Sequence, residues 1–226
     1  MYQKAIVVYF DILGFKRSVY KSLSNSKEFK KLKDLFRIIN KEKRKHKNKV
    51  TSKKVIFTSD SILYIYLIKN NDLPSIIWDI AYIQAKIIDS RYLIRGGISF
   101  GDVYLIDDNA FGPAINEAVA LEKTAEGWPM IKFSHQFFLN YLENSKNMNF
   151  FHPGGIEDDI DDANSYLKRD LDSVWISHIQ NDENDIMIPN EQTETVLKEL
   201  IDEYKNNSDE KISSKYIWLE QTYFKN

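Results

Sequence analysis

Two carboxylates stand where they could hold a charged oxygen ligand. Asp11 follows the apolar run Val7-Val8-Tyr9-Phe10 and precedes Ile12-Leu13-Gly14-Phe15, a glycine turn that opens a helical pattern. An ionised carboxylate at a strand end can bind a hard divalent cation, and free N–H groups at a turn and helix start can bind phosphate oxygens. Asp60 ends a second apolar run, Val55-Ile56-Phe57-Thr58-Ser59, and Ser61 to Ile68 returns as another strand. Carboxylates at matching strand ends suggest a two-metal site of the kind that handles triphosphates.

The elements that must position these residues can be read from periodicity. Lys4 to Asp11 has the valine-rich, uninterrupted pattern of a buried strand. Phe29, Leu32, Leu35, Phe36 and Ile39 recur at helical spacing, with Asn25 and Glu28 as a capping pair. Strands 53–59 and 61–68 meet at the hairpin tip Ser59-Asp60-Ser61. The isoleucine-rich segment Asp72 to Asp89 is an amphipathic helix, with Asp72 as its cap ahead of Pro74. Leu93 to Ile106 is a strand interrupted by Gly96, Gly97 and Gly101, which marks bulges or close approach of another backbone or ligand. Phe111-Gly112-Pro113 opens a helix over Ala114 to Glu126, followed by a strand at Met130 to Phe133 and a helix from His135 to Leu142. The expected fold is therefore α+β, a ferredoxin-like β-α-β-β-α-β sheet with helices on one face. Beyond Asn144 the pattern weakens to an acidic run at Glu157–Asp162, a candidate strand at Ser173–Ile179, and helices over Glu191–Tyr204 and from Ser213. No linker separates two domains, so a core over 1–145 and a C-terminal α/β extension over 146–226 are expected to pack as one unit.

Composition narrows the function classes. The chain has 226 residues, enough for one sizeable core, and 31 basic against 33 acidic side chains leave no global field for nucleic acid or an anionic membrane. Cysteine is absent, which removes disulfides, thiolate zinc sites and cysteine nucleophiles. No apolar stretch approaches the roughly 20 residues that span a bilayer, and no signal-peptide pattern opens the chain, so a soluble, cytoplasmic protein is expected. Histidines 46, 135, 152 and 178 lack zinc-ligand spacing, no nucleophile-elbow motif appears, and the acidic run lacks the glycine and final glutamate of a calcium loop. The basic stretch Lys41 to Lys54 has no interleaved aromatic residue for base stacking and reads as a solvated helix end and loop.

Four segments carry a family resemblance. Phe10-Asp11-Ile12-Leu13-Gly14-Phe15 resembles the first metal motif of class III nucleotidyl cyclases. Asp60, 49 residues on, matches their hairpin-tip aspartate; Arg95-Gly96-Gly97-Ile98-Ser99-Phe100-Gly101 resembles their glycine strand, and Ile115-Asn116-Glu117-Ala118 their asparagine helix. With Phe111-Gly112-Pro113-Ala114 and the closing Lys215-Tyr216-Ile217-Trp218-Leu219, the chain is similar to the pyrimidine cyclases of bacterial Pycsar antiphage systems.

That resemblance implies a class III cyclase core acting on UTP or CTP, with uridylate cyclase placed first. The product would be a 3′,5′-cyclic mononucleotide that activates a separate effector carrying a cyclic-nucleotide receptor domain. Asp11, Asp60 and the Ile12 carbonyl would bind two Mg²⁺ or Mn²⁺ ions, and N–H groups near Leu13, Gly14 and Phe15 would hold the phosphate tail. The family's transition-state arginine is replaced here by Ala120, leaving Asn116 with neutral amide contacts and Lys123, Arg91 or Arg95 as stand-in cations. Arg95 has a second reading, since an arginine opening a strand commonly pairs with a structural carboxylate. The family's charged purine readers fall on Ile56 and Asn109, so neutral groups would read a smaller pyrimidine edge. Class III sites form across a head-to-tail dimer, and this chain carries both halves, so a homodimer with two composite sites is implied. The competing reading is a catalytically degenerate cyclase fold that binds a nucleotide or scaffolds a partner. A diguanylate-cyclase relationship is disfavoured because the tip reads Thr58-Ser59-Asp60-Ser61.

Overall fold

The structure is a computed structural model that describes residues 1–45, 53–68, 73–125, 127–134, 136–137, 166–169, 173–178 and 190–225. The strands are β1 (Gln3–Ile12), β2 (Lys53–Thr58), β3 (Ser61–Leu67), β4 (Ile94–Ile106), β5 (Asn109–Phe111), β6 (Ile131–Phe133), β7 (Leu167–Arg169) and β8 (Val174–Ile176). The helices are α1 (Phe15–Ser22), α2 (Ser26–Lys45), α3 (Leu73–Asp89), α4 (Pro113–Thr124), α5 (Asn190–Tyr204) and α6 (Glu210–Tyr223).

The fold is α+β. Among the described residues the sheet runs β2-β3-β1-β4-β6-β8-β7, with β5 paired to β4. Its first four strands have the ferredoxin-like order, every neighbouring pair being antiparallel, and β6 then adds to β4 in parallel.

β1 is central and covered on both faces, which explains its unbroken apolar run. Ile6, Val8, Phe10 and Ile12 face the main core with Leu35, Ile39, Ile76, Ile80 and Ile87 of α2 and α3. Ala5 and Val7 point the other way, toward Ala114 and Ala118 of α4. Each large apolar side chain so buried contributes roughly 1.5–3 kcal/mol. Helices on one face alone were expected; α4 instead occupies the second face. The cause is β4, where a side chain on Gly97 would collide with the Ala118 carbonyl and Leu121, and one on Gly101 would touch Ala114. These glycines let α4 lie directly on the strand, and the buried Ser99 hydroxyl ties it there by donating to the Ala114 carbonyl at 2.6 Å.

One local expectation changes. Asn25 does cap α2, its Oδ1 accepting from the N–H groups of Lys27 and Glu28 at 3.0 and 3.1 Å. Glu28 does not reach back to complete a capping box; its carboxylate accepts from Ser18 Oγ of α1 at 2.6 Å and from Lys31. Most of the expected helix over 135–142, the acidic run 157–162, residues 46–52 of the basic stretch and the cap Asp72 lie outside the described residues.

α5 and α6 bury Leu197, Leu200, Ile201 and Leu219 against Ile88 and Leu93, so the C-terminal helices sit on the end of α3 and the start of β4. Thr193 Oγ1 donates to Asp89 at 2.9 Å, and Arg91 pairs with Glu199 and Glu203 at 2.6 Å each. Arg91 is therefore occupied in docking α5, which argues against it as a stand-in catalytic cation.

Candidate active site

Strand register sets the site. Asp11 lies opposite Ser61 on β3 and opposite Arg95 on β4, and these three share the face that α4 partly covers. A two-residue turn, Ser59-Asp60, joins β2 to β3, with Ser59 in the left-handed region at φ 54. The Asp60 carbonyl accepts from the Ile12 N–H at 2.9 Å, which seats the hairpin tip on the end of β1. The two aspartates read from sequence are thus brought to one place. Tyr9 and Ser61 hydroxyls bond at 2.8 Å beside them.

Asp11 is pushed up to about 6. Burial is the largest cause; Arg95 opposes it, while the charges of Asp60 and Glu122 reinforce it. Arg95 Nη2 stands 3.4 Å from Asp11 Oδ2, and its Nε is in ionic contact with Glu122. Arg95 thus has the structural carboxylate partners of its second reading, and it also holds Asp11. Glu122 was not singled out in the sequence, although a signal exists: Ala114, Ala118 and Glu122 follow at i, i+4 and i+8, the buried stripe of α4.

The donor set of Asp11, Asp60 and the Ile12 carbonyl is all oxygen and suits a hard cation. A partly buried carboxylate beside a second one is a negative spot that such a cation would neutralise. No group of three or more His, Asp or Glu that could hold a metal ion forms among the described residues. Two carboxylates nevertheless suffice for Mg²⁺, which commonly completes its shell with water and substrate phosphate.

The phosphate-binding turn needs one correction. The Leu13 N–H donates to the Leu93 carbonyl at 2.8 Å and is not free for phosphate. Gly14 adopts φ 75 as the N-cap of α1, and the first bond from that helix is Ser18 N–H to the Gly14 carbonyl at 3.0 Å. The N–H groups at the opening of α1, beginning with Phe15, precede that bond and remain the available donors.

Other expected residues lie apart. Asn116 is exposed near the start of α4, whose Ala114 sits on Gly101. Gly101 is six strand residues from Arg95, roughly 20 Å at strand rise. Asn116 itself is exposed, two residues before Ala118, whose carbonyl lies over Gly97, two strand residues from Arg95. Lys123, at the other end of α4, lines a cavity with Arg95, so it joins the aspartate end rather than the asparagine end. Ile56 is half-buried on β2, and Asn109 is exposed at the start of β5. Lys54, two residues from Ile56, bridges the two regions by donating to the Asp107 and Asn109 carbonyls. This cation near the expected base-reading positions was not foreseen.

Compared with known proteins, the chain matches no family model and no curated protein. Solved structures offer distant likenesses. The guanylyl cyclase Cya2 is similar at 12% identity and a TM-score of 0.48, covering 81% of this chain and 96% of that one. An adenylate/guanylate cyclase/hydrolase from Silicibacter pomeroyi is similar at 17% identity and a TM-score of 0.41, covering 77% and 96%. A class III adenylyl cyclase-like ATP-binding protein from Pseudomonas aeruginosa is similar at 12% identity and 0.39, covering 59% and 34%.

Proposed function

We propose that this protein is a nucleotidyl cyclase that converts UTP, or CTP, to a 3′,5′-cyclic mononucleotide and pyrophosphate. The observation that carries the reading is the 2.9 Å bond from Ile12 N–H to the Asp60 carbonyl, because it brings the two aspartates of the sequence motif together beside the start of α1. In the reaction the ribose 3′-oxygen forms a bond to the α-phosphorus as the bond to the pyrophosphate oxygen breaks, and the hydroxyl proton leaves to solvent. Two Mg²⁺ or Mn²⁺ ions held by Asp11, Asp60 and the Ile12 carbonyl would supply charge neutralisation and activation of the 3′-hydroxyl.

The chain's own groups do the rest. Arg95 orients Asp11, and the opening N–H groups of α1 receive phosphate oxygens. Asn116 acts on the site of a second copy, a reading supported by its exposure near the start of α4. A head-to-tail homodimer with two composite sites follows. The pyrimidine preference rests on Ile56 and Asn109, which lack the charges that read a purine edge. The sequence resemblance extends the reading to a cytoplasmic signal in bacterial antiphage defence, received by a separate effector with a cyclic-nucleotide receptor domain.

Incubation with Mn²⁺ and each of ATP, GTP, CTP and UTP, with products identified by mass spectrometry, tests the proposal. A cyclic pyrimidine nucleotide supports it. No cyclic product from any of the four, with the dimer intact, favours a nucleotide-binding module without turnover.

A further inference from the structure

A cavity of about 430 Å³ opens beside Arg95, lined with it by Lys123, Gly127, Trp128, Lys211, Ser214 and Lys215. None of the described residues lining it is acidic, and its four cations come from three separate elements: β4, α4 and the C-terminal helix α6. Lys123, Lys211 and Lys215 form no ion pair with a described residue, in contrast to Lys198 and Lys205 on the neighbouring surface. Three lysines without an ion pair to a described residue converge on an arginine already held by Asp11 and Glu122; these cations repel one another, and the arrangement is relieved when an anion enters. The half-buried Lys215 shows this tension, for burial and then the Arg95 charge lower its pKa, while Asp209 and Asp11 raise it. Arg95 is shared, since the guanidinium that lines this cavity also stands 3.4 Å from Asp11.

We infer that α6 completes the active site in its own chain, with Lys211 and Lys215 joining Arg95 and Lys123 as a cradle for the polyphosphate tail of the substrate and for the pyrophosphate that leaves. The inference rests on the cyclase reading for the identity of the substrate, but not for the existence of the anion site. A tail attached to an α-phosphate at Asp11 and Asp60 extends along Arg95, where a lysine-rich wall and the Ser214 hydroxyl can meet its oxygens. A C-terminal helix that contributes phosphate ligands also accounts for its docking at the start of β4, where Leu219 packs near Leu93. The sequence held a hint in the Lys215-Tyr216-Ile217-Trp218-Leu219 segment, although no role attached to its lysine.

The test uses inorganic tripolyphosphate in metal-free buffer with the full-length protein, read by calorimetry and by the fluorescence of Trp128 in the cavity wall. The wild type is expected to bind with 1:1 stoichiometry per chain. Lys211→Gln/Lys215→Gln should weaken binding at least tenfold, whereas the remote control Lys27→Gln should leave it unchanged. If the double variant does not fold, the exposed Lys211→Gln alone should weaken binding several-fold. With UTP and Mn²⁺ the double variant should raise KM, while affinity for the cyclic product, which lacks the tail, stays at the wild-type level. Equal tripolyphosphate affinity in wild type and variants, or equal losses in the variants and in Lys27→Gln, overturns the inference. A wild type that binds tripolyphosphate through α6 yet makes no cyclic nucleotide keeps the anion site and removes the cyclase reading, so the two failures are distinguishable.

Discussion

Arg95 Nη2 lies 3.4 Å from Asp11 Oδ2, near enough to orient the carboxylate yet not enough to keep it in the ordinary aspartate range. Burial, aided by Asp60 and Glu122, pushes Asp11 up to about 6. The protein therefore keeps a costly negative centre at neutral pH, which is understandable if a cation and a polyphosphate are to be bound there.

The stability consequence has a definite sign. The folded value of about 6 exceeds the unfolded 3.8, so stability falls as pH rises from 3.8 to 6 and the full penalty persists above that window. Asp11→Asn should abolish cyclisation and raise the melting temperature at pH 8 by a few degrees, with the gain shrinking toward zero near pH 4. Mn²⁺ should raise the melting temperature of the wild type and not of the variant. Thermal unfolding across pH 4–8 checks both; a gain that is independent of pH would contradict the assignment.

His178 gives the opposite dependence. It is buried, hydrogen-bonded through Nδ1 to the Tyr223 hydroxyl at 2.8 Å, and lowered to about 3 by burial. The unfolded chain binds a proton that the folded chain refuses, so stability present above pH 6.5 is lost as pH falls toward 3. The loss should be on the order of a few kcal/mol. Urea unfolding of His178→Gln should show a shallower acid slope than the wild type; parallel slopes would remove His178 as the cause.

The contact between α4 and β4 has no spare room at Gly97. A methyl there meets the Ala118 carbonyl and Leu121 Cβ, whereas one on Gly101 meets only Ala114 Cβ at 3.4 Å. Gly97→Ala should cost about 1–3 kcal/mol as an overpacked position and reduce activity through Arg95 and Glu122, which the contact holds in register. Gly101→Ala should cost less. Denaturant midpoints order the two variants, and a tolerant Gly97 would mean that α4 is more loosely seated than described.

The composite site proposed for a homodimer predicts complementation. Asp11→Ala and Asn116→Ala should each be inactive as homodimers. Mixed in equal amounts and allowed to exchange, they should recover about a quarter of wild-type activity, since half the dimers are mixed and each has one intact site. No recovery despite demonstrated exchange would place the asparagine outside a shared site.

Much of this was legible in the sequence because it depended on local pattern. β1 declared itself through a run buried on both faces, and the Ser59-Asp60 turn through two strands that could only fold back. Asp11 and Asp60 followed from those elements. What pattern could not supply was the partner of each polar group. Leu13 looked free in a glycine turn but is paired across to Leu93, and Arg91 looked available but docks α5 through Glu199 and Glu203. Glu122 and Lys211 were not singled out and Lys215 carried no role, because nothing local reveals that α4 and α6 converge on Arg95.

The most direct measurement follows UTP itself. Purified protein with Mn²⁺ and UTP should yield cyclic UMP and pyrophosphate in equal amounts, resolved by mass spectrometry, with CTP as the competing substrate and Asp11→Asn as the inactive control. Equal formation of the two products, lost in the control, is the predicted result. Intact UTP and CTP after prolonged incubation, or a linear monophosphate in place of the cyclic one, would contradict the cyclase assignment.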